Sequence, residues 1–168
     1  LNMLANLMQR RISAGRENLS LSYELYGSEG EPYSVTAELV PWYNKKLEES
    51  RELDILRGST SVGPQRDDIR LEVNGVNLRS FGSQGQQRTG VLALKLSELE
   101  FLRSETGEYP ILLLDDVMSE LDGTRREKLL DFIGREHIQT LLTATDAAYL
   151  PEKFVGNIFY VVSGEISI

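Results

Sequence analysis

PILLLDDVMSELD, from Pro110 to Asp122, runs four apolar residues, Ile111 to Leu114, into two adjacent carboxylates, Asp115 and Asp116. A short apolar run ending in acids reads as a buried parallel strand with charges at its C-terminal tip. Open α/β sheets place their ligands at such tips. In nucleotide-hydrolysing folds the first acid of such a pair helps hold Mg²⁺, and a neighbour can orient the attacking water. A core strand that simply ends in a turn is the plainer reading of this stretch taken alone. The flanking sequence decides between the two.

Downstream, Asp122 is placed to cap a helix from about Gly123 to Arg135, and 139–144, QTLLTA, form another short apolar strand. Asp146 to Leu150 reads as a brief helical turn, and Ile158–Val162 pairs with Glu165–Ile168 across Ser163-Gly164. Strand, helix, strand, helical turn and strand from 110 onward make an α/β layer with a largely parallel sheet. Upstream, Leu92, Leu96 and Leu99 share a helical face supported by Val91 and Leu102, and Gly107 ends that helix. IRLEV-Asn74-Gly75-VNLRS is the clearest hairpin, because Asn-Gly supplies the positive φ angles of a type I′ turn. GSTSVGPQRDD, 58–68, is a loop rich in turn residues. Pro41 fits the first turn of a helix that continues to Arg57 and stops at Gly58. Residues 33–40 are ambiguous, Gly27 to Glu31 is a turn, and 19–26 alternate as a strand does. Residues 1–14 close a helix with Leu4, Leu7, Met8 and Ile12 on one face.

With 168 residues, 40% of them hydrophobic and 26% charged, the chain can bury a sizeable core. No apolar run is long enough to span a bilayer, and the apolar-then-basic N-terminus reverses the order of a secretory signal. The absence of cysteine excludes disulfides and thiolate metal sites and fits a reducing cytosol. The single histidine, His137, cannot build a histidine metal cluster. The formal charge of −8 is opposite to that of a dedicated nucleic-acid domain, so any DNA contact must be local or belong to a larger assembly.

A second segment carries chemistry. Phe81-Gly82-Ser83-Gln84-Gly85-Gln86-Gln87-Arg88 sets Ser83 at the start of a helix, about thirty residues before the acids. Glycines at 82 and 85 let backbone approach a ligand, and free N–H groups with the helix dipole favour an anion. The serine hydroxyl and glutamine amides add neutral donors. An ordinary capped helix after a glycine loop fits this segment equally well.

Together the two segments resemble ATP-binding-cassette (ABC) ATPases of the structural-maintenance-of-chromosomes (SMC) type. Ser83, Gly85 and Gln86 match the signature motif, Ile111 to Asp115 the Walker B strand, Asp116 the catalytic carboxylate position, and Ser119 to Asp122 the D-loop. More closely, GSQGQQRT, LLLDDVMSELD and TSVGPQRDD are similar to segments of the C-terminal portion of the RecF family. The resemblance covers nearly all 168 residues. Two positions depart from common patterns. Gln65 stands where RecF sequences usually have histidine, and Thr145 stands near the switch position that is histidine in many cassette ATPases, a replacement RecF-like proteins share. A threonine there can hydrogen-bond a γ-phosphate or water but cannot gain charge near neutral pH.

The resemblance implies the C-terminal half of an ABC-type, SMC- and RecF-like P-loop NTPase head: α/β, with a mostly parallel sheet, flanking helices and β-hairpins. On this reading residues 1–57 end a helical lobe and 58–168 carry signature, Walker B and D-loop. No G-x-x-x-x-G-K-[ST] occurs, since Pro64 and Gln65 follow the glycine pair Gly58 and Gly63. The P-loop half is therefore expected upstream of residue 1, and the isolated chain is expected to show no ATPase activity.

The resemblance further implies a homodimer that closes on two ATP molecules. Asp115 would hold Mg²⁺, Asp116 would orient or deprotonate water, and Thr145 would occupy the switch position. Ser83, Gln84, Gly85 and Gln86 would bind the partner's nucleotide, and Asp122 would communicate across the dimer. The implied setting is cytoplasmic DNA repair at junctions of single- and double-stranded DNA, with RecO- and RecR-type mediators as partners and support of recombinase loading. Arg66 and Arg88 are the first DNA-contact candidates; for Arg70 and Arg79, pairing with nearby acids is the better reading. The alternative keeps the fold but makes the protein a nucleotide-gated scaffold that needs no hydrolysis, or a related chromosome-tethering or anti-phage ATPase.

Overall fold

The computed structural model describes residues 1–27, 36–150 and 156–167. The readings placed on 28–35, on 151–155 and on Ile168 lie outside them. The chain forms two compact units, Leu1–Pro110 and Ile111–Ile168.

The first unit contains α1 (Asn2–Ile12), β1 (Leu19–Glu24), α2 (Thr36–Arg57), β2 (Asp68–Val73), β3 (Val76–Asn77), α3 (Leu78–Phe81) and α4 (Gln84–Thr106). The strands form an antiparallel sheet in the order β1-β2-β3, with Leu19 opposite Val73 and Tyr23 opposite Ile69. Helix α1 packs against both α4 and β1. Its buried face is Ala5, Met8, Gln9 and Ile12, while Leu7, expected on that face, is exposed. From α4 the buried residues include Leu92, Ala93, Leu96 and Leu99; Val91 and Leu102, expected to support them, are exposed. The buried side of α4 also takes in Thr89, Gly90 and Ser97, so small and polar residues fill positions that the apolar pattern assigned to Val91 and Leu102.

Polar side chains of α1 also fasten β1. The amides of Leu19 and Leu21 donate to Asn6 Oδ1 at 3.1 Å and Asn2 Oδ1 at 2.9 Å. The alternate amides of β1 face β2, so the two asparagines cover β1's outer edge.

Two local expectations need revision. Helix α2 begins at Thr36, so Pro41 lies inside it rather than in its first turn. A proline so near the start removes one helical hydrogen bond, and the long remainder of the helix tolerates it. Gly58, at φ 66°, ends α2 as expected. The hairpin turn has both Asn74 and Gly75 at positive φ, 52° and 79°, but its second strand stops at Asn77. There the Asn77 side chain accepts the Ser80 amide at 3.1 Å and starts α3 instead of continuing the ladder.

In the second unit, β4 (Leu112–Leu114) pairs in parallel with β5 (Thr140–Leu142), in the register Leu113 to Leu141. Between them lie α5 (Val117–Glu120) and α6 (Gly123–Arg135). A 3₁₀ turn, Ala147–Tyr149, and the hairpin of β6 (Tyr160–Val162) with β7 (Glu165–Ser167) follow. Leu112 and Leu114 are buried, as are Met118, Leu121, Leu129, Phe132 and Ile138. Burying each large side chain contributes about 1.5–3 kcal/mol. The opposite face of the pair differs: Leu113 is 71% and Leu141 58% exposed. The strand is thus covered on one side among the described residues, not on both as its unbroken apolar run suggests, because the pleat turns alternate side chains to opposite faces.

Candidate functional site

Two clusters hold the residues singled out from the sequence. The first is the start of α4. Ser83 is its N-cap in extended conformation, and its Oγ accepts the Gln86 amide at 3.3 Å. Gln86 Oε1 accepts the Ser83 amide in return at 3.1 Å, which completes a capping box. The amides of Gln84 and Gly85 find no acceptor among the described residues, as expected for the first positions of a helix. Ser83 and Gln84 are exposed, and Gly85 and Gln86 are half-buried. The Ser83 hydroxyl itself donates to Gln86 Oε1 at 3.2 Å, so the loop offers two unsatisfied N–H donors at a positive helix end, a receptor suited to an oxyanion.

Gly82 has a cause within its own chain. A Cβ there would meet the Leu78 carbonyl oxygen at 2.6 Å, so the close approach that requires glycine is to its own chain. The same carbonyl accepts the Gly82 amide at 3.1 Å and the Gln87 side-chain amide at 2.8 Å. These contacts fix the start of α4 against α3. Arg88 is exposed one turn into the helix.

The second cluster is the tip of β4. Asp115 and Asp116 are both exposed. Asp116 adopts the left-handed conformation, φ 49° and ψ 20°, which aspartate tolerates better than most residues. Thr143, just past β5, ties the two acids together. Its Oγ1 donates to Asp115 Oδ1 at 2.5 Å and accepts the Asp116 amide at 3.0 Å. Its own amide donates to the Leu114 carbonyl at 2.9 Å. On the other side, Ser119 Oγ donates to the Asp116 carbonyl at 2.9 Å. The Asp116 carboxylate makes no hydrogen bond among the described residues, and neither does Asp115 Oδ2. Thr145 lies two residues beyond Thr143, exposed and without a hydrogen bond among the described residues. Asp122 caps α6, its Oδ1 accepting the Arg125 amide at 2.9 Å.

No group of three or more His, Cys, Asp or Glu gathers as a metal site among the described residues. The fit to Mg²⁺ is accordingly partial: one exposed carboxylate oxygen on Asp115 and a neighbouring acid. That matches an ion that keeps waters and takes phosphate oxygens rather than a full protein cage.

The candidate arginines divide. Arg70 pairs with Glu24 at 3.3 Å and Glu72 at 3.0 Å, and Arg79 with Asp68 at 2.9 Å. Arg66 is exposed and donates to the Thr60 carbonyl at 3.4 Å. Its neighbour Asp67 has a structural role that the sequence reading missed. Asp67 accepts from the hydroxyls of Tyr23, at 2.5 Å, and Tyr43, and from the Tyr26 amide at 2.9 Å. Desolvation pushes the Asp67 carboxyl upward, but these three hydrogen bonds outweigh it and leave its pKa lowered. The tyrosines respond in the opposite direction: the Asp67 hydrogen bond raises Tyr23, and burial together with the same carboxylate raises Tyr43. The 58–68 loop is thereby latched to both β1 and α2.

No protein-family model matches the chain. It is 49% identical over 152 residues to the DNA replication and repair protein RecF of Halothermothrix orenii, covering 90% of this chain and 40% of that one. It is 43% identical to the RecF of Enterococcus faecalis, covering 96% and 44%, and 44% identical to that of Alkaliphilus oremlandii, covering 99% and 45%. The chain thus spans less than half the length of these curated relatives. A solved structure of the recombination mediator protein RecF-ATP in the RecFOR pathway superimposes with TM-score 0.71 at 36% identity, over 99% of this chain and 42% of that one. A structure from work on ATP-driven dimerization and DNA-stimulated activation of SMC ATPases matches with TM-score 0.52 at 12% identity, over 99% and 80%, a likeness of fold alone. No helix among the described residues is long and apolar enough to cross a membrane. Over nearly its whole length the chain matches the C-terminal portion of RecF, and it shares its fold with solved RecF and SMC ATPase structures.

Proposed function

We propose that this chain supplies the signature, Walker B and D-loop half of a RecF-type DNA-repair ATPase head, with 1–57 closing a lobe and 58–168 carrying the motifs. The observation that carries this is the exposure of both chemical ends: the uncapped amides behind Ser83 and the two aspartates past Leu114. The start of α4 has donors but no full charge, so it suits completing a nucleotide site begun by another subunit. In a closed homodimer, Ser83, Gln84, Gly85 and Gln86 bind the γ-phosphate of the partner's ATP. Asp115 holds Mg²⁺, which neutralises charge on the phosphates, while Asp116 orients the attacking water. Thr145 lies at the switch position, and Asp122 caps α6 at the dimer face. DNA at single-strand gaps is held by the closed dimer, with Arg66 and Arg88 among the phosphate contacts. RecO- and RecR-type mediators then support recombinase loading in the cytoplasm.

Asp116→Asn in the full-length protein that carries this segment tests the reading. ATP-dependent dimerisation, read by light scattering, should persist while turnover falls to background. Undiminished turnover rejects Asp116 as the water-orienting group. DNA retention by the Asp116→Asn dimer decides the scaffold alternative: retention equal to the parent's means ATP binding, not hydrolysis, closes the clamp.

A further inference from the structure

Thr143 occupies a position that none of the recognised motifs contains. It is 28 residues from Asp115 in sequence, yet its hydroxyl contacts both acids at the tip of β4. A hydroxyl has one proton and two lone pairs. Here the proton goes to Asp115 Oδ1 and a lone pair takes the Asp116 amide. The first bond fixes the rotation of the Asp115 carboxylate and leaves Oδ2 as its open oxygen. The second holds the backbone of Asp116 in its left-handed conformation, where Ser119 Oγ grips the carbonyl from the other side. A non-glycine residue in that conformation carries a cost that the surroundings must offset. Position, not proton transfer, is what these bonds supply, because the Asp116 carboxylate itself remains unpartnered among the described residues.

We propose that Thr143 is a positioning residue for ATP hydrolysis, setting Asp115 and Asp116 in register through one hydroxyl, with Ser119 as the second hold on Asp116. This rests on the ATPase reading above. Valine matches threonine in shape and lacks the hydroxyl, while the Thr143 amide bond to Leu114 is independent of the side chain. Small misplacement of reacting groups costs up to about a hundredfold in rate.

The test uses the full-length protein with Thr143→Val, Thr143→Ala, Thr143→Ser and Ser119→Ala, measuring kcat, KM for ATP and the Mg²⁺ concentration giving half-maximal rate. Thr143→Val should lower kcat about tenfold or more and raise the Mg²⁺ requirement severalfold, with KM for ATP within about twofold. Thr143→Ser should recover most of kcat, and Ser119→Ala should lower it by a smaller factor. Thr143→Ala reads the same hydroxyl should the valine variant not fold. Turnover by the hydroxyl-free variants within twofold of the parent overturns the proposal, as does a serine variant no better than valine. A parent that does not hydrolyse ATP overturns the ATPase reading and this inference with it, an outcome distinct from an active parent indifferent to Thr143.

Discussion

Ser83 and Gln86 hold each other's backbone amide, at 3.3 Å and 3.1 Å, so the residues proposed to meet a nucleotide also start the longest helix described. The two roles can be separated. Ser83→Ala removes the cap and should lower the stability of the first unit by about 1 kcal/mol. Ser83→Asp keeps a good cap and should leave thermal unfolding close to the parent's. In the full-length protein the same aspartate places a negative charge against the triphosphate and should abolish ATP-dependent dimerisation. A Ser83→Asp protein that dimerises normally argues against a nucleotide at this helix end.

Asp67 sets an acid limit on the fold. Its carboxyl is lowered in the folded chain, so its contribution is complete above the unfolded pKa of about 4 and is lost as pH falls through the lower folded value. Tyr23 and Tyr43 are raised, so theirs is complete below about pH 10 and is lost above it. Asp67→Asn should cost about 1–2 kcal/mol at neutral pH, held down by partial exposure, and flatten the loss of stability below pH 4. Urea unfolding at pH 3, 5 and 7 measures both effects.

Arg66 and Arg70 should part company in DNA binding. Arg70 is engaged by two carboxylates, whereas Arg66 donates to a carbonyl and retains a solvent-facing guanidinium. In the full-length protein Arg66→Ala should weaken DNA binding across sequences and reduce the salt slope by about one unit. Arg70→Ala should leave the slope unchanged. Equal slopes for parent and Arg66→Ala would remove Arg66 from the interface.

His137 ends α6 in the left-handed region, φ 51°, with its amide donating to the Gly134 carbonyl at 3.4 Å and that of Ile138 to the Ile133 carbonyl at 3.2 Å. This is a glycine position filled by an exposed histidine. His137→Gly should raise stability by about 0.5–1 kcal/mol, the steric gain being partly offset by a more flexible unfolded chain. A rise in the midpoint of thermal unfolding checks it.

What was legible in the sequence was local. Ser83 at the start of α4, Asp122 before α6, and Asn74-Gly75 each carry their geometry within four residues, so local pattern sufficed. The parallel pairing of 112–114 with 140–142 followed from a strand, a helix-length gap and a second apolar run. Thr143 and Asp67 were not legible, because their partners lie 28 residues and up to 44 residues away and depend on which strand tips meet. Gly82 was visible, but its reason within the chain was not: only the fold shows the Leu78 carbonyl where a Cβ would sit. The exposure of Leu113 also escaped prediction, since four apolar residues in a row do not say how many faces find cover.

The asparagine fastening of β1 bears on how that strand's outer edge is kept from pairing. Strip away Asn2 and Asn6, and the amides of Leu19 and Leu21 become a vacant ladder rung on which a neighbouring chain could polymerise. Trimming the first turn or two of α1, harmless by any inventory of catalytic groups, would therefore be expected to turn a well-behaved protein into one that self-associates through that margin.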